Sequence, residues 1–592
     1  MKMKNIFAKL VCLALGAAAL TSCSDRYLTD LNTDKTKPTT INPNAQLTTG
    51  LLQPMGDFQL MDTYRCYITG FTQYYAGGWN VSNYGGAVHA DNNMMSSLWD
   101  RFYSVGIKNV VDAIDRSQDL PNVNAILRIH KVYMMSILTD TYGDIPCSEA
   151  GLGKIAGIGN PKYDTQEEIY NWFFTELAAC VEQLRNSEGK DVVTGDVTNY
   201  SGNTAQWAKF ANSLRMRFAM RISDVNPDKA KAEFESALAS PAGYISTFAD
   251  NAFVKYIDGP FTLYDGAKDL DFRVNALGEM LYGQDATSPT FVCHTLFHRM
   301  KQTSDPRLYR ICRHYINTKR SQIKADDEWN IDVTDEVVAY QNSAKGQSNQ
   351  QTQAPGWACY VGAAWYSDWV NAPDNADIPT LAALVAQYPD AGFDGSNFPA
   401  RMLRPFLSIQ LEKSECPGIM MTSAESHFLM AEAIVKGWTV EGTVSGHYEA
   451  GVRDAMQVIN DYYNVSKISE SEIAAYLAAN PVGSSADAQV EAINTQAWIL
   501  HLTNPSEGWA NLRRSDYPVL DDRSKYSISD FTPDDPNNLN TPLRLYYPQF
   551  EMQYNREQYE IAISRIEGGK DDWHKPVWWD KNPTRVNHDL YK

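Results

Sequence analysis

The side chains best suited to hold a ligand are aromatic rings set among small polar residues, in stretches of this 592-residue sequence without helical or strand periodicity. A sugar ring offers an apolar C–H face that stacks on an aromatic plane, and its hydroxyls then need Asn, Asp, Gln or Arg at the rim. Three clusters have this makeup. The first, residues 73–86, offers Tyr75, Trp79, Asn80, Asn83 and Tyr84, with glycines expected to let the backbone approach a ligand. The second, residues 256–265, offers Tyr264 and Asp265. The third offers Trp357, Trp365, Tyr366 and Trp369, with Tyr360 and Asp368 among them. Aromatic residues more often pack a core than touch a ligand, so core packing is the alternative for each cluster. Trp79 and the group from Trp365 to Trp369 are the strongest candidates.

Other chemistries are less well supplied. The chain has no G-x-S-x-G elbow, no H-E-x-x-H helix and no G-x-x-x-x-G-K-[ST] loop, which favours binding over catalysis. Gly151-Leu152-Gly153 with Gly157 lacks the strand that precedes a dinucleotide-binding turn, and no cofactor is expected. His294 and His298, beside Cys293, stand one helical turn apart, yet no third metal ligand accompanies them. They read as ordinary surface or core histidines. A carboxylate pair for glycoside hydrolysis needs only a set separation and leaves no sequence motif, so among 71 acidic residues a secreted glycoside hydrolase is the catalytic alternative.

Lys2, Lys4 and Lys9 precede the apolar run from Leu10 to Leu20, which is a secretory leader too short to span a bilayer. Leu20-Thr21-Ser22-Cys23 has the form of a bacterial lipobox, so residues 1–22 are expected to be removed and Cys23 to carry the lipid. Asp25 and Asp30 fit loosely with an acidic export tag, which Ser24 and Arg26 interrupt. A net charge of -19 and a pI near 5.0 argue against nucleic acid as a partner, because nucleic acid is bound through Lys and Arg clusters. The nine cysteines include Cys12 in the leader and Cys23 at the anchor. The other seven show no paired spacing, and most are expected to be buried apolar residues.

The elements that must position the clusters are helices. Residues 23–43 read as a lipidated N-terminus and tether, followed by one globule over residues 44–592. Helical periodicity runs over residues 125–140, where Tyr142-Gly143-Asp144-Ile145-Pro146 is a stop, and over residues 207–218, 228–238, 424–438, 448–462 and 490–502. Asp164-Thr165-Gln166-Glu167 has the form of a capping box ahead of Ile169, Phe173, Leu177 and Leu184 on one stripe. The expected fold is mainly α: tetratricopeptide-like helical hairpins form a scaffold at about residues 100–238 and 418–592. A large irregular part, mainly residues 239–417 plus the loop 71–90, is expected to hold the ligand.

Several stretches in order resemble the SusD/RagB family of nutrient-binding outer-membrane lipoproteins. They are the lipobox, Leu138 to Pro146, Trp207 to Ala219, Ser304-Asp305-Pro306-Arg307-Leu308, Ala424 to Ala433, Trp509 to Pro518, Arg544 to Asn555, and Gly568-Gly569 leading to Val577-Trp578-Trp579-Asp580. The resemblance implies a helical scaffold with tetratricopeptide-like pairs, an outward-facing position in the outer membrane, a glycan ligand, no catalysis, and a SusC-like TonB-dependent transporter as partner. Some members bind peptides or glycopeptides instead, and an adhesin on the same scaffold is a further alternative. Family ligand contacts vary with the ligand, so no binding residue is carried over. Arg513 and Arg514 are expected to pair with carboxylates or helix ends, and Trp578 and Trp579 to pack.

Overall fold

The computed structural model describes residues 41–77, 82–259, 272–278, 290–315, 328–329, 406–408, 410–521 and 533–581. Helices dominate it. The predicted segments form, most of them longer than periodicity alone suggests: Pro121–Tyr142, Gln166–Asn186, Thr204–Arg221, Pro227–Leu238, Ser423–Val435, Val444–Tyr462 and Ala486–Leu500. Periodicity marks only the buried stripe, while the ends are set by caps. Pro121 and Pro227 occupy first turns, where a missing N–H costs nothing. The Pro121–Tyr142 helix stops at Gly143, whose φ of +92° suits glycine.

The capping box of the second helix sits one residue later than expected. Thr165 is the N-cap, accepting from Glu168 N, and the Glu168 carboxylate accepts from Thr165 N at 2.9 Å. Asp164 instead turns to the preceding segment, accepting from Cys147 N, Ser148 N and the Ser148 hydroxyl. Helices Asn92–Arg101, Lys108–Arg116, Glu470–Ala479, Pro505–Ser515 and Arg556–Arg565 were not evident from periodicity, being short or broken by buried polar residues.

Neighbouring helices pack as hairpins. Pro121–Tyr142 lies on Gln166–Asn186, Gln166–Asn186 on Thr204–Arg221, and Thr204–Arg221 on Pro227–Leu238. Later in the chain, Ser423–Val435 pairs with Val444–Tyr462 and with Ala486–Leu500. The two groups meet where Thr204–Arg221 contacts Ser423–Val435. That junction holds buried charges. Arg217 clasps Glu425 with contacts of 2.6 and 2.7 Å, and His501 approaches the same carboxylate at 3.3 Å. Arg221 donates to both oxygens of Glu507 at 2.5 and 2.6 Å. Asp140 accepts from the Tyr170 hydroxyl and from Trp579 Nε1. Buried ions survive only when so paired, because an isolated one forfeits its hydration.

Arg514 meets its expectation, donating to both Glu432 oxygens at 2.6 and 2.8 Å. Arg513 differs: its guanidinium lies 3.7 Å from the Trp509 ring centroid and donates to the Leu543 carbonyl. Burial pulls its pKa down to about 10, as expected for a cation held by π faces and carbonyls. Trp579 is fully buried, while Trp578 is half-buried and packed on the core. The described cysteines Cys66, Cys147, Cys180, Cys293, Cys312 and Cys416 are all buried, and none forms a disulfide. No described helix is long and apolar enough to cross a membrane.

Candidate ligand-binding site

Four small antiparallel sheets occur among the described residues, and two of them flank the predicted aromatic clusters in the chain. Tyr75–Gly77 pairs with Thr290–Val292, with Tyr75 opposite Val292 and Gly77 opposite Thr290. The chain therefore enters residues 78–81, which include Trp79 and Asn80, from Gly77 opposite Thr290. Cys312–Tyr315 pairs with Glu328–Trp329 on one side and Phe406–Leu407 on the other. That sheet brackets the part of the sequence holding Trp357, Trp365, Tyr366 and Trp369, and Phe406–Leu407 also contacts Thr290–Val292. The strands that flank residues 78–81 and 330–405 in the chain thus come together in one wall.

Gln73 ties the wall together. Its φ is +53°, unusual for a residue with a Cβ. Its side-chain amide hydrogen-bonds the Asp521 backbone in both directions: Asp521 N donates to Oε1 at 3.0 Å, and Nε2 donates to the Asp521 carbonyl at 2.9 Å. Thr295 also donates to Oε1. The segment before Trp79, the helix His294–Gln302 and the chain near Asp521 are thereby locked to each other. His89 and Asp534 add a 2.7 Å contact on the far side of the same loop, where Ala90 N also donates to Asp534. Gln73 stands first in the 73–86 cluster, and the sequence alone assigned it no role. A long amide at the edge of an aromatic cluster, ahead of glycines, was the available signal.

Two expected ligand contacts are corrected. Tyr75 is 1% exposed, its hydroxyl donates to the Leu502 carbonyl at 3.4 Å, and its ring lies against Tyr74. Burial pushes its phenol pKa well above the ordinary value, so it stays neutral. Tyr84 is 5% exposed, between the Tyr67 ring and a stacked His89. Both faces that a sugar would need are covered by protein. Tyr74 is likewise core, stacked on Trp498 with a centroid distance of 5.1 Å. Asn83 lies on the π-helical turn Ser82–Gly86. Trp79, Asn80, Tyr264, Asp265, Trp357, Trp365, Tyr366 and Trp369 lie outside the described residues.

Gly85 of the first cluster serves the protein's own packing. A Cβ on Gly85 would sit 2.6 Å from the Tyr67 carbonyl oxygen and 2.7 Å from that of Cys66. The close approach is therefore to the protein's own backbone, packing Ser82–Gly86 on the π-helical turn Tyr64–Ile68. π-Helical turns concentrate at functional sites, and Ser82–Gly86 directly follows residues 78–81 in the chain.

A separate open cleft of about 460 Å³ is lined by residues including Tyr103, Lys108, Asp112 and Lys154. Its one aromatic ring, Tyr103, rests on Trp99 at 5.0 Å and spends its hydroxyl on the Pro146 carbonyl. The cleft therefore offers a single half-buried ring with its hydroxyl already engaged, not a cluster of rings. Among the described residues, no group of three or more His, Cys, Asp or Glu side chains is arranged to hold a metal.

Comparison with known proteins agrees with this architecture. A family model described as SusD-like, starch-binding associating with outer membrane, matches residues 34–363 and 388–548. Among solved structures, one titled a Bacteroidetes SusD-like protein is 38% identical, with a TM-score of 0.75, covering 92% of this chain and 100% of that one. A structure titled a chitin-binding protein is 29% identical, with a TM-score of 0.68, covering 91% of this chain and 100% of that one. A SusD homologue from Bacteroides uniformis, at 24% identity and a TM-score of 0.66 over 92% of this chain and 100% of its own, shares the fold. No curated protein matches significantly.

Proposed function

Because this chain belongs to the SusD-like family of starch-binding proteins that associate with the outer membrane, we propose that it captures oligosaccharides at the cell surface. In this reading it is held there by lipid on Cys23, makes and breaks no bond, and passes its ligand to a SusC-like TonB-dependent transporter. The observation that carries the proposal is the convergence of the supports for residues 78–81 and 330–405 on one wall, braced by Gln73. Rings presented from such a wall would form a stacking platform, with Asn80, Asn83 and Asp265 as rim partners for hydroxyls. The 29% identical chitin-binding structure supports a glycan ligand. A rigid scaffold carrying variable binding loops suits capture, because loops can change ligand without disturbing the core.

The lipid anchor would keep capture protein and transporter in one membrane plane, raising the effective concentration of each for the other. Protease shaving of intact cells should remove the globule, and affinity purification of the tagged chain should recover a TonB-dependent barrel. Incubation with glycans should release no reducing ends. Protection from the protease would contradict the outward orientation, and released reducing ends would establish hydrolysis instead of capture.

A further inference from the structure

The open cleft beside Tyr103 adjoins the start of the described chain. Ile41 lines it and is 43% exposed, and Ile155, which also lines it, is 39% exposed. Lys108 opens the helix Lys108–Arg116, and Lys154 lies on the short helix Gly153–Ala156, so two separate parts of the chain bring a cation to this cleft. Both lysines are exposed, and neither has an ion-pair partner among the described residues. The lining carboxylate of Asp112 is already engaged, accepting from Arg116 Nε at 2.7 Å and from Gln46 Nε2 at 2.9 Å. The cleft thus offers unspent positive charge beside exposed apolar side chains, in a chain whose net charge is -19.

We propose that this cleft seats the chain's own tether, taking residues 27–34, Tyr-Leu-Thr-Asp-Leu-Asn-Thr-Asp, as an acidic and partly apolar peptide. Asp30 and Asp34 supply the carboxylates that Lys108 and Lys154 lack, and Leu28 and Leu31 cover the exposed Ile41 and Ile155. Lys35, Lys37 and Pro38 form the stretch that returns to Ile41. Reach is not limiting: at about 3.3–3.6 Å per residue, the chain from Asp34 to Ile41 extends to about 25 Å. Exposed ion pairs are individually weak, but a segment joined to its own seat by a short linker acts at an effective concentration in the millimolar range. That advantage favours the tether over a second copy of the chain or a free peptide. Seating also shortens the free tether. From Cys23 to Ile41 an extended chain reaches about 60 Å, whereas from Cys23 to Tyr27 it reaches about 15 Å, so the cleft end of the globule would be held close to the membrane. This last consequence rests on lipid at Cys23; the seating itself depends on neither the lipid nor the glycan.

The test is zero-length carbodiimide crosslinking of the purified full chain in detergent, read by mass spectrometry of its peptides. The expected result is an amide bond, within one chain, between Asp30 or Asp34 and Lys108 or Lys154. A second readout is limited trypsin digestion, because a segment that is tied down resists cleavage. In the Lys108→Glu, Lys154→Glu double variant, cutting after Lys35 and Lys37 should be at least tenfold faster than in the unmodified chain, with the melting temperature unchanged. The crosslink in the unmodified chain stands even if the variant fails to fold. Absence of these crosslinks, their appearance only between two chains, or equal cleavage rates in a correctly folded variant would overturn the proposal.

Discussion

Rings packed in the core and rings proposed to meet a sugar should respond differently to substitution. Tyr75 is packed beneath the wall, so Tyr75→Ala should cost about 3–5 kcal/mol of stability, the usual penalty for emptying an aromatic core site. Trp79→Ala and Trp365→Ala should leave the melting temperature nearly unchanged. Each should weaken glycan binding by about 30-fold, equivalent to about 2 kcal/mol for an aromatic anchor. Thermal melts beside calorimetric titrations distinguish the two behaviours, and unfolding of either Trp variant would mark that ring as core. Buried ionisable residues set the acid limit. Burial would raise the Glu425 and Glu432 carboxyls, but Arg217 and Arg514 override it and hold both at about 2 instead of 4.5. Their stabilising contribution is complete above about pH 4.5 and disappears as pH falls towards about 2. His130, buried against the Gly50 carbonyl, is pulled by burial from 6.5 to about 4. Below about pH 6.5 the unfolded chain therefore takes up a proton that the folded chain refuses, and stability already starts to fall. Melting temperatures at pH 7, 5.5 and 3 should decrease in that order; a flat profile would refute the assignment.

Helix ends and tight crossings decide how each element is seated. Removing the Thr165 cap in Thr165→Ala should destabilise the chain by about 0.5–2 kcal/mol in denaturant unfolding. Replacing Asp164, the cap expected from sequence, should instead loosen the Cys147–Ser148 turn that its carboxylate accepts from. Gly85→Ala must displace the Tyr67 or Cys66 carbonyl and should cost about 1–3 kcal/mol, seating the Trp79 loop poorly and weakening ligand as well. The long helices were legible because a 3.6-residue stripe survives in any amphipathic helix. The capping box slipped by one residue because Asp164 and Thr165 are both good N-caps and Glu167 and Glu168 both suitable partners. The short pairings at Tyr75–Gly77 and Cys312–Tyr315 were not legible at all. Two to four residues carry no alternation, and their register is set by distant chain.

Across the whole molecule, the motifs that carry the family resemblance turn out to hold the hairpins together. Glu425 and Glu432 come from one motif, Arg513 and Arg514 from another, and Arg217, Arg307 and Trp579 from three more; all are buried in ion, hydrogen-bond or ring contacts. This is why the fold was readable from sequence and the ligand contacts were not. Motifs of this kind report a shared interior, whereas ligand residues sit on loops free to change. Breaking one such pair, as in Arg514→Ala, should cost about 3–5 kcal/mol by stranding the Glu432 carboxylate, and a denaturant titration would show it. The central claim is that this scaffold presents an aromatic platform to a sugar. Calorimetric titration of the purified full chain with a panel of chitin, starch and other plant or bacterial oligosaccharides tests it most directly. The account predicts saturable binding of at least one glycan, lost in the Trp79→Ala, Trp365→Ala double variant. No binding of any carbohydrate at millimolar concentration, with peptides bound instead, would contradict it.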